Sequence, residues 1–263
     1  MKKQLMNVCW VMAVLLFSLN AEANPKGEIE RLLEEEKNRY IDLLRTSKGE
    51  ALFELAKKLQ DSGVENKEVL DEAMKVAVEH HLIYNNDKKQ IVSHHIAASL
   101  ARALSGSGNA NYHSTLTRFM NESASRRLRN LSKTLLSRIT WYEKRNKIMN
   151  DFSNHQSEQS LHTTRYLNLI QHKEINFARY AAESLARQGR TDKVFLDAMA
   201  EVVAANYRAS GLAPGELDGL AWLMRALGRA PDRAYEDLLN EIAAYPSLDK
   251  KLKKHVKKAL KGK

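Results

Sequence analysis

Residues 39–81, RYIDLLRTSKGEALFELAKKLQDSGVENKEVLDEAMKVAVEHH, return 126 positions later as residues 165–207, RYLNLIQHKEINFARYAAESLARQGRTDKVFLDAMAEVVAANY. Set against each other, the two stretches put apolar residues mostly on apolar residues, with about a quarter of the pairs identical. Leu43 falls on Leu169, Ala56 and Leu59 on Ala182 and Leu185, Gly63 on Gly189, and Leu70-Asp71 on Leu196-Asp197. Within each copy the apolar positions recur at the three- and four-residue spacing of amphipathic helices. A helical block present twice buries its faces against its neighbours, so the repeat predicts a stacked-repeat protein with an extended surface suited to binding.

The pattern extends outward from that pair. Pro25 in a first turn after Asn24, followed by Ile29, Leu32, Leu33, Tyr40, Leu43 and Leu44, predicts a helix to about residue 46. Asp61-Ser62-Gly63 stops the next one, and Ser105-Gly106-Ser107-Gly108 stops the helix built on Ile91, His95, Ile96, Leu100 and Leu104. A sixth helix is expected from about Ser125 to Thr140, and residues 151–160 read as a hinge or longer loop. Beyond Tyr207 the shift between copies becomes 123, so that Ala98, Leu100, Arg102, Leu104 and Tyr112 meet Ala221, Leu223, Arg225, Leu227 and Tyr235. The closing helix at 251–260 answers residues 127–136. No stretch alternates apolar and polar residues as a half-buried strand does. The expected fold is therefore all-α: a right-handed α-solenoid of antiparallel helical hairpins, about ten to twelve helices, in halves at 24–150 and 151–263.

Lys2 and Lys3, an uncharged run to Ala21 and the small residues Ala21 and Ala23 predict a cleavable secretory signal at 1–23, cut after Ala23, and hence a periplasmic or secreted protein. Cys9 is the only cysteine and would leave with that leader, which excludes disulfides, zinc-thiolate sites and cysteine nucleophiles from the mature chain. No second stretch approaches the length of a membrane-spanning helix. The formal charge of +10 favours anionic partners.

The pattern Ala-x-x-Leu-Ala-x-x-Leu, a glycine turn and a second helix resembles the HEAT-like repeat family, best at 54–78, 95–120, 180–204 and 220–243. The resemblance implies a shape rather than a reaction, because this class holds scaffolds, lyases and metal enzymes alike. Its iron hydroxylases bind metal through His-Glu pairs on successive repeats, and this chain contains no His-Glu dipeptide.

Two sets of residues are candidates for binding. His80, His81, His94 and His95 bracket one turn, where imidazoles can serve as metal ligands, although adjacent histidines on a helix point about 100° apart. The alternative is a polar turn with His95 tucked against the core. Arg126, Arg127, Arg129 and Lys133, with Lys251, Lys253, Lys254, Lys257 and Lys258, form two basic clusters that suit lipopolysaccharide or acidic lipid; the competing reading is the charged outer face of a terminal helix. Arg102 with Arg225, Asp71 with Asp197 and Arg39 with Arg165 recur in both copies and are read as structural, as is Trp222 in the core. Trp141-Tyr142 stands at the junction between the copies.

There is no Gly-x-Ser-x-Gly elbow, no phosphate-binding glycine loop followed by lysine, and no cofactor motif. The expectation is a non-enzymatic binding or scaffold protein of the cell envelope that recognises a protein or peptide. The alternatives are a binder of anionic envelope surfaces and an exported metal-binding protein using the histidine turn. Export argues against a nucleic-acid partner.

Overall fold

The computed structural model describes residues 25–261, and within them the chain is all-helical, with no strand. The expected leader at 1–23 lies outside the described residues. Among the described residues there are thirteen α-helices. The first half comprises α1 (Pro25–Thr46), α2 (Gly49–Gln60), α3 (Lys67–Asn86), α4 (Ile91–Gly106), α5 (His113–Glu122) and α6 (Arg126–Leu136). After α7 (Ile139–Met149) come α8 (Leu161–Ile170), α9 (Ile175–Arg187), α10 (Lys193–Asn206), α11 (Pro214–Leu227), α12 (Glu236–Ala244) and α13 (Lys250–Ala259).

The helix starts keep the register of the duplicated sequence. Residues 49 and 67 begin helices as 175 and 193 do, 91 and 113 as 214 and 236 do, and 126 as 250 does. The packing repeats with them: α2, α3 and α6 surround α4 as α9, α10 and α13 surround α11, and α5 lies on α6 as α12 lies on α13. Even single hydrogen bonds recur. The Tyr112 hydroxyl donates to Asp71 at 3.0 Å, Asp71 itself being paired with Lys67; the Tyr235 hydroxyl donates to Asp197 at 2.7 Å, itself paired with Lys193. Asp71 and Asp197 therefore hold the loop-proximal tyrosines of their own halves.

Local signals set the boundaries. The Asn66 side chain accepts from the backbone N–H groups of Glu68 and Val69, and Ser125 from Leu128, so α3 and α6 start with satisfied donors. Gly63 and Gly189, at φ of 75° and 68°, occupy matching left-handed positions after α2 and α9. The expected sixth helix is two: α6 ends at Leu136, where the Ser137 hydroxyl donates to the Thr134 carbonyl and competes with the helical ladder.

The apolar core forms two clusters, one from Tyr40 to Ile139 and one from Met149 to Ala259. Fully buried leucines such as Leu70, Leu100 and Leu116, or Leu169 and Leu223, each contribute about 1.5–3 kcal/mol by leaving water. Between the clusters the joint is polar, centred on α7, which packs on both α4 and α8. Arg145 of α7, wholly buried, donates to the Gly106 carbonyl and to the Tyr180 hydroxyl, both at 2.5 Å, and Tyr180 donates to Asp61 at 2.8 Å. Burial pushes the Tyr180 hydroxyl far above the ordinary phenol range, so it stays protonated and relays between cation and carboxylate. Arg165 of α8 clasps Glu36 of α1 through both guanidinium nitrogens, at 2.7 and 2.9 Å, and also donates to Asn150.

The repeated arginines are thus not equivalent: Arg165 is buried in the joint, whereas Arg39 is exposed and lies over the Tyr40 ring. Trp141 stacks on Phe177 at 5.7 Å and packs the joint rather than lining a groove. Residues 151–160 carry no regular element, yet the stretch is tied down by His155 on Thr164, Ser157 on Glu28 and Asn168 on the Asp151 carbonyl.

Candidate functional site

Where the two halves meet, α2, α4 and α6 of the first and the ends of α8 and α9 of the second enclose a groove of about 1120 Å³. From α2 come Phe53, Glu54, Lys57, Lys58 and Gln60; from α4 His94, His95, Ala98, Ser99 and Arg102; from α6 Arg127, Leu128 and Leu131. The far wall is His162, Arg187, Gln188 and Arg190, with Tyr40, Asp61 and Ser62 at the floor. The helical register explains the composition. Ala98 and Arg102 on α4, and Leu128 and Leu131 on α6, sit three or four residues apart on one face, so apolar patches alternate with cationic tips.

The charge is lopsided: Lys57, Lys58, Arg102, Arg127, Arg187 and Arg190 against Glu54 and Asp61. Both acids are already engaged, Glu54 by Lys57 at 2.6 Å and Asp61 by Arg187 at 3.3 Å, and Arg190 turns to Asp192 outside the groove at 2.8 Å. Lys58, Arg102 and Arg127 have no carboxylate partner among the described residues. Arg102 is half-buried and reaches only the Ala98 carbonyl, at 3.4 Å, while burial and the neighbouring Arg127 charge both act against its cation.

The four histidines of the turn do not converge. His80 bonds Ser93 at 3.1 Å; His81 lies against Phe119 and contacts Asn85; His94 bonds Ser125 at 2.8 Å; and His95 faces Phe53. No group of three or more potential ligands is assembled among the described residues. The burial order is the reverse of the expected one, for His94 is buried and His95 exposed. His94 accordingly titrates below the ordinary imidazole range, from burial first and then from His95, Arg127 and Arg102; His162 does so from burial and Arg190.

His80, His81 and His255 are lowered as well, each by burial first. Unfolded imidazoles protonate near pH 6.5, before the folded ones, so the unfolded state binds more protons as the pH falls through that value. Stability should be full above about pH 6.5 and decline on acidification toward pH 5. Melting temperatures at pH 7.5, 6.5 and 5.5 test this: a progressive fall is expected, and a rise would contradict it.

Of the nine basic candidates read from the sequence, the groove takes only Arg127. Arg129 is occupied by the Ser123 carbonyl at 2.5 Å and Lys251 by Asp218. Arg126 and Lys133 on α6, and Lys253, Lys254, Lys257 and Lys258 on α13, are exposed. Arg102, read as structural, is a groove residue. Its counterpart Arg225 lies over the Trp222 ring at 5.1 Å, and Trp222 is half-buried beside a small pocket rather than in the core. The far wall went unread because Arg187 and Arg190 close an ordinary helix terminus, and nothing local in the sequence says what lies opposite. No protein-family model, no curated protein and no solved structure matches the chain.

Proposed function

We propose that the chain is an exported, HEAT-like α-solenoid binding protein of the cell envelope, and that the groove between its halves holds an acidic peptide segment of a partner protein. The observation that carries this reading is the groove's excess of cations, three of them without a carboxylate, interleaved with Phe53, Leu128, Leu131 and Ala98. Such a surface matches an acidic chain electrostatically while offering apolar contacts between the charges. Its volume of about 1120 Å³ exceeds the range of about 300–1,000 Å³ typical of small-molecule sites. The repeated contacts of α2, α3 and α6 on α4 and of α9, α10 and α13 on α11 support the stacked-hairpin arrangement, and Lys2-Lys3 with the apolar run to Phe17 supports export. No helix among the described residues is long and apolar enough to cross a membrane.

Calorimetric titration with a ten-residue Glu/Asp-rich peptide tests the proposal. Binding is expected to weaken with salt and to fall about tenfold or more in Lys58→Glu/Arg190→Glu, with no binding of the matching Gln/Asn peptide. Equal affinity for the charged and uncharged peptides would overturn it. The second reading, adhesion to lipopolysaccharide or acidic lipid, is favoured by the exposed Lys253, Lys254, Lys257 and Lys258, which lack carboxylate partners among the described residues.

A further inference from the structure

The duplication supplies an internal control for one wall of the groove. In the second half Asp218 of α11 stands between two cations, Arg179 of α9 at 3.6 Å and Lys251 of α13, and Arg179 also pairs with Glu183 at 2.8 Å. Those cations lower the Asp218 carboxyl from its ordinary range, Lys251 most strongly. By the register of the two copies, positions 179, 183, 218 and 251 correspond to Phe53, Lys57, His95 and Arg127 in the first half, on helices that pack in the same way.

The chemistry has changed at three of those four places. The ring of Phe53 replaces the Arg179 guanidinium, with Lys57 over it at 5.1 Å and His95 facing it at 5.7 Å. Where the second half keeps a carboxylate, the first has an imidazole. Arg127 retains the cation of Lys251 without its counter-ion, and Arg102 stands beside it, half-buried and equally without an acid. A half-buried cation with no partner, such as Arg102, is unfavourable, and the exposed Arg127 charge beside it adds to the cost. The second half satisfies Lys251 internally, while Arg225, the counterpart of Arg102, lies over the Trp222 ring; the first half leaves the place equivalent to Asp218 open to the groove.

We infer that Arg102 and Arg127 form an oxyanion subsite, in which a carboxylate or phosphate of the ligand takes the position that the Asp218 carboxylate holds in the second half; His95 only leaves that position without a charge of its own. The subsite rests on the reading of the groove as the binding surface, and within that reading it anchors one acidic side chain of the peptide. The guanidinium fork suits either oxyanion by charge-assisted hydrogen bonds.

The test restores the missing carboxylate. His95→Asp places an acid on an exposed position where Arg127 can pair with it, as Lys251 pairs with Asp218. Hexaglutamate and inorganic pyrophosphate are titrated separately into the wild type and into H95D, H95N, R127A and D218A. The expected result is a loss of about tenfold or more in H95D and R127A, affinity within about threefold of wild type in H95N, and no change in D218A. Loss of equal size in H95N and H95D would overturn the inference, because charge would then not be the cause. If H95D and R127A bind both probes like wild type while K58E/R190E does not, the subsite falls and the peptide reading stands. If pyrophosphate binds and is lost in H95D while hexaglutamate never binds, the peptide reading falls and the subsite stands. Failure of both probes on the wild type removes both.

Discussion

Replacing Arg165 by alanine is expected to destabilise the protein by about 3–5 kcal/mol, the range for removing one partner of a buried ion pair. Arg165 is 2 % exposed and its two hydrogen bonds to Glu36 join α8 of one half to α1 of the other. Truncation leaves the Glu36 carboxylate, itself 13 % exposed, in a cleft without a cation, and Asn150 without its donor. For a chain of this size the loss corresponds to a fall of roughly 6–20 °C in melting temperature. Arg165→Lys retains the charge but not the two-pronged geometry and should recover only part of the loss. Chemical denaturation followed by circular dichroism measures both, and a loss below about 1 kcal/mol for the alanine variant would show that the joint does not depend on this pair.

Gly108→Ala is expected to be the most damaging substitution of a single methyl group. Gly108 follows α4 at φ 70°, and a Cβ there would lie 2.4 Å from the Glu143 nitrogen and 2.5 Å from its Cα, both backbone atoms of α7. The left-handed conformation alone costs an L-residue about 1–2 kcal/mol, and forcing α7 away from α4 adds overpacking of about 1–3 kcal/mol. Gly189→Ala is the control, since it has the same kind of φ, 68°, with nothing within 4 Å of the added carbon. Its loss should stay near the conformational term alone. Equal losses at the two positions, read from denaturation midpoints, would mean that the close approach of α4 and α7 is not maintained in solution.

The helices and their repeated register were legible in the sequence because they depend on local spacing. Apolar residues three and four apart, Asn66 and Ser125 as caps and Gly63 as a stop all act within a few residues, and a helix start at 67 implies one at 193 once the shift is known. The break at Ser137 was missed because Leu135, Leu136 and Ile139 continue the helical pattern across it, and only a side-chain hydrogen bond interrupts the backbone. The joint was illegible for a different reason. Glu36 and Arg165 are 129 positions apart, and a buried arginine looks in sequence like the exposed Arg39 it matches. The groove shared that fate: Arg127 stood out as part of a basic run, whereas Arg102, Arg187 and Arg190 acquire meaning only when two halves face each other. The same holds for His95, whose position reads as a missing carboxylate only beside Asp218.

In the proposed function both halves contribute to one cationic groove that receives an acidic chain. Hydrogen–deuterium exchange of the intact protein, with and without the ten-residue acidic peptide, tests it most directly. Protection is expected together on residues 53–62 and 94–102 of the first half and 187–190 of the second, with α13 unchanged. Protection confined to α13, or to one wall alone, would contradict it.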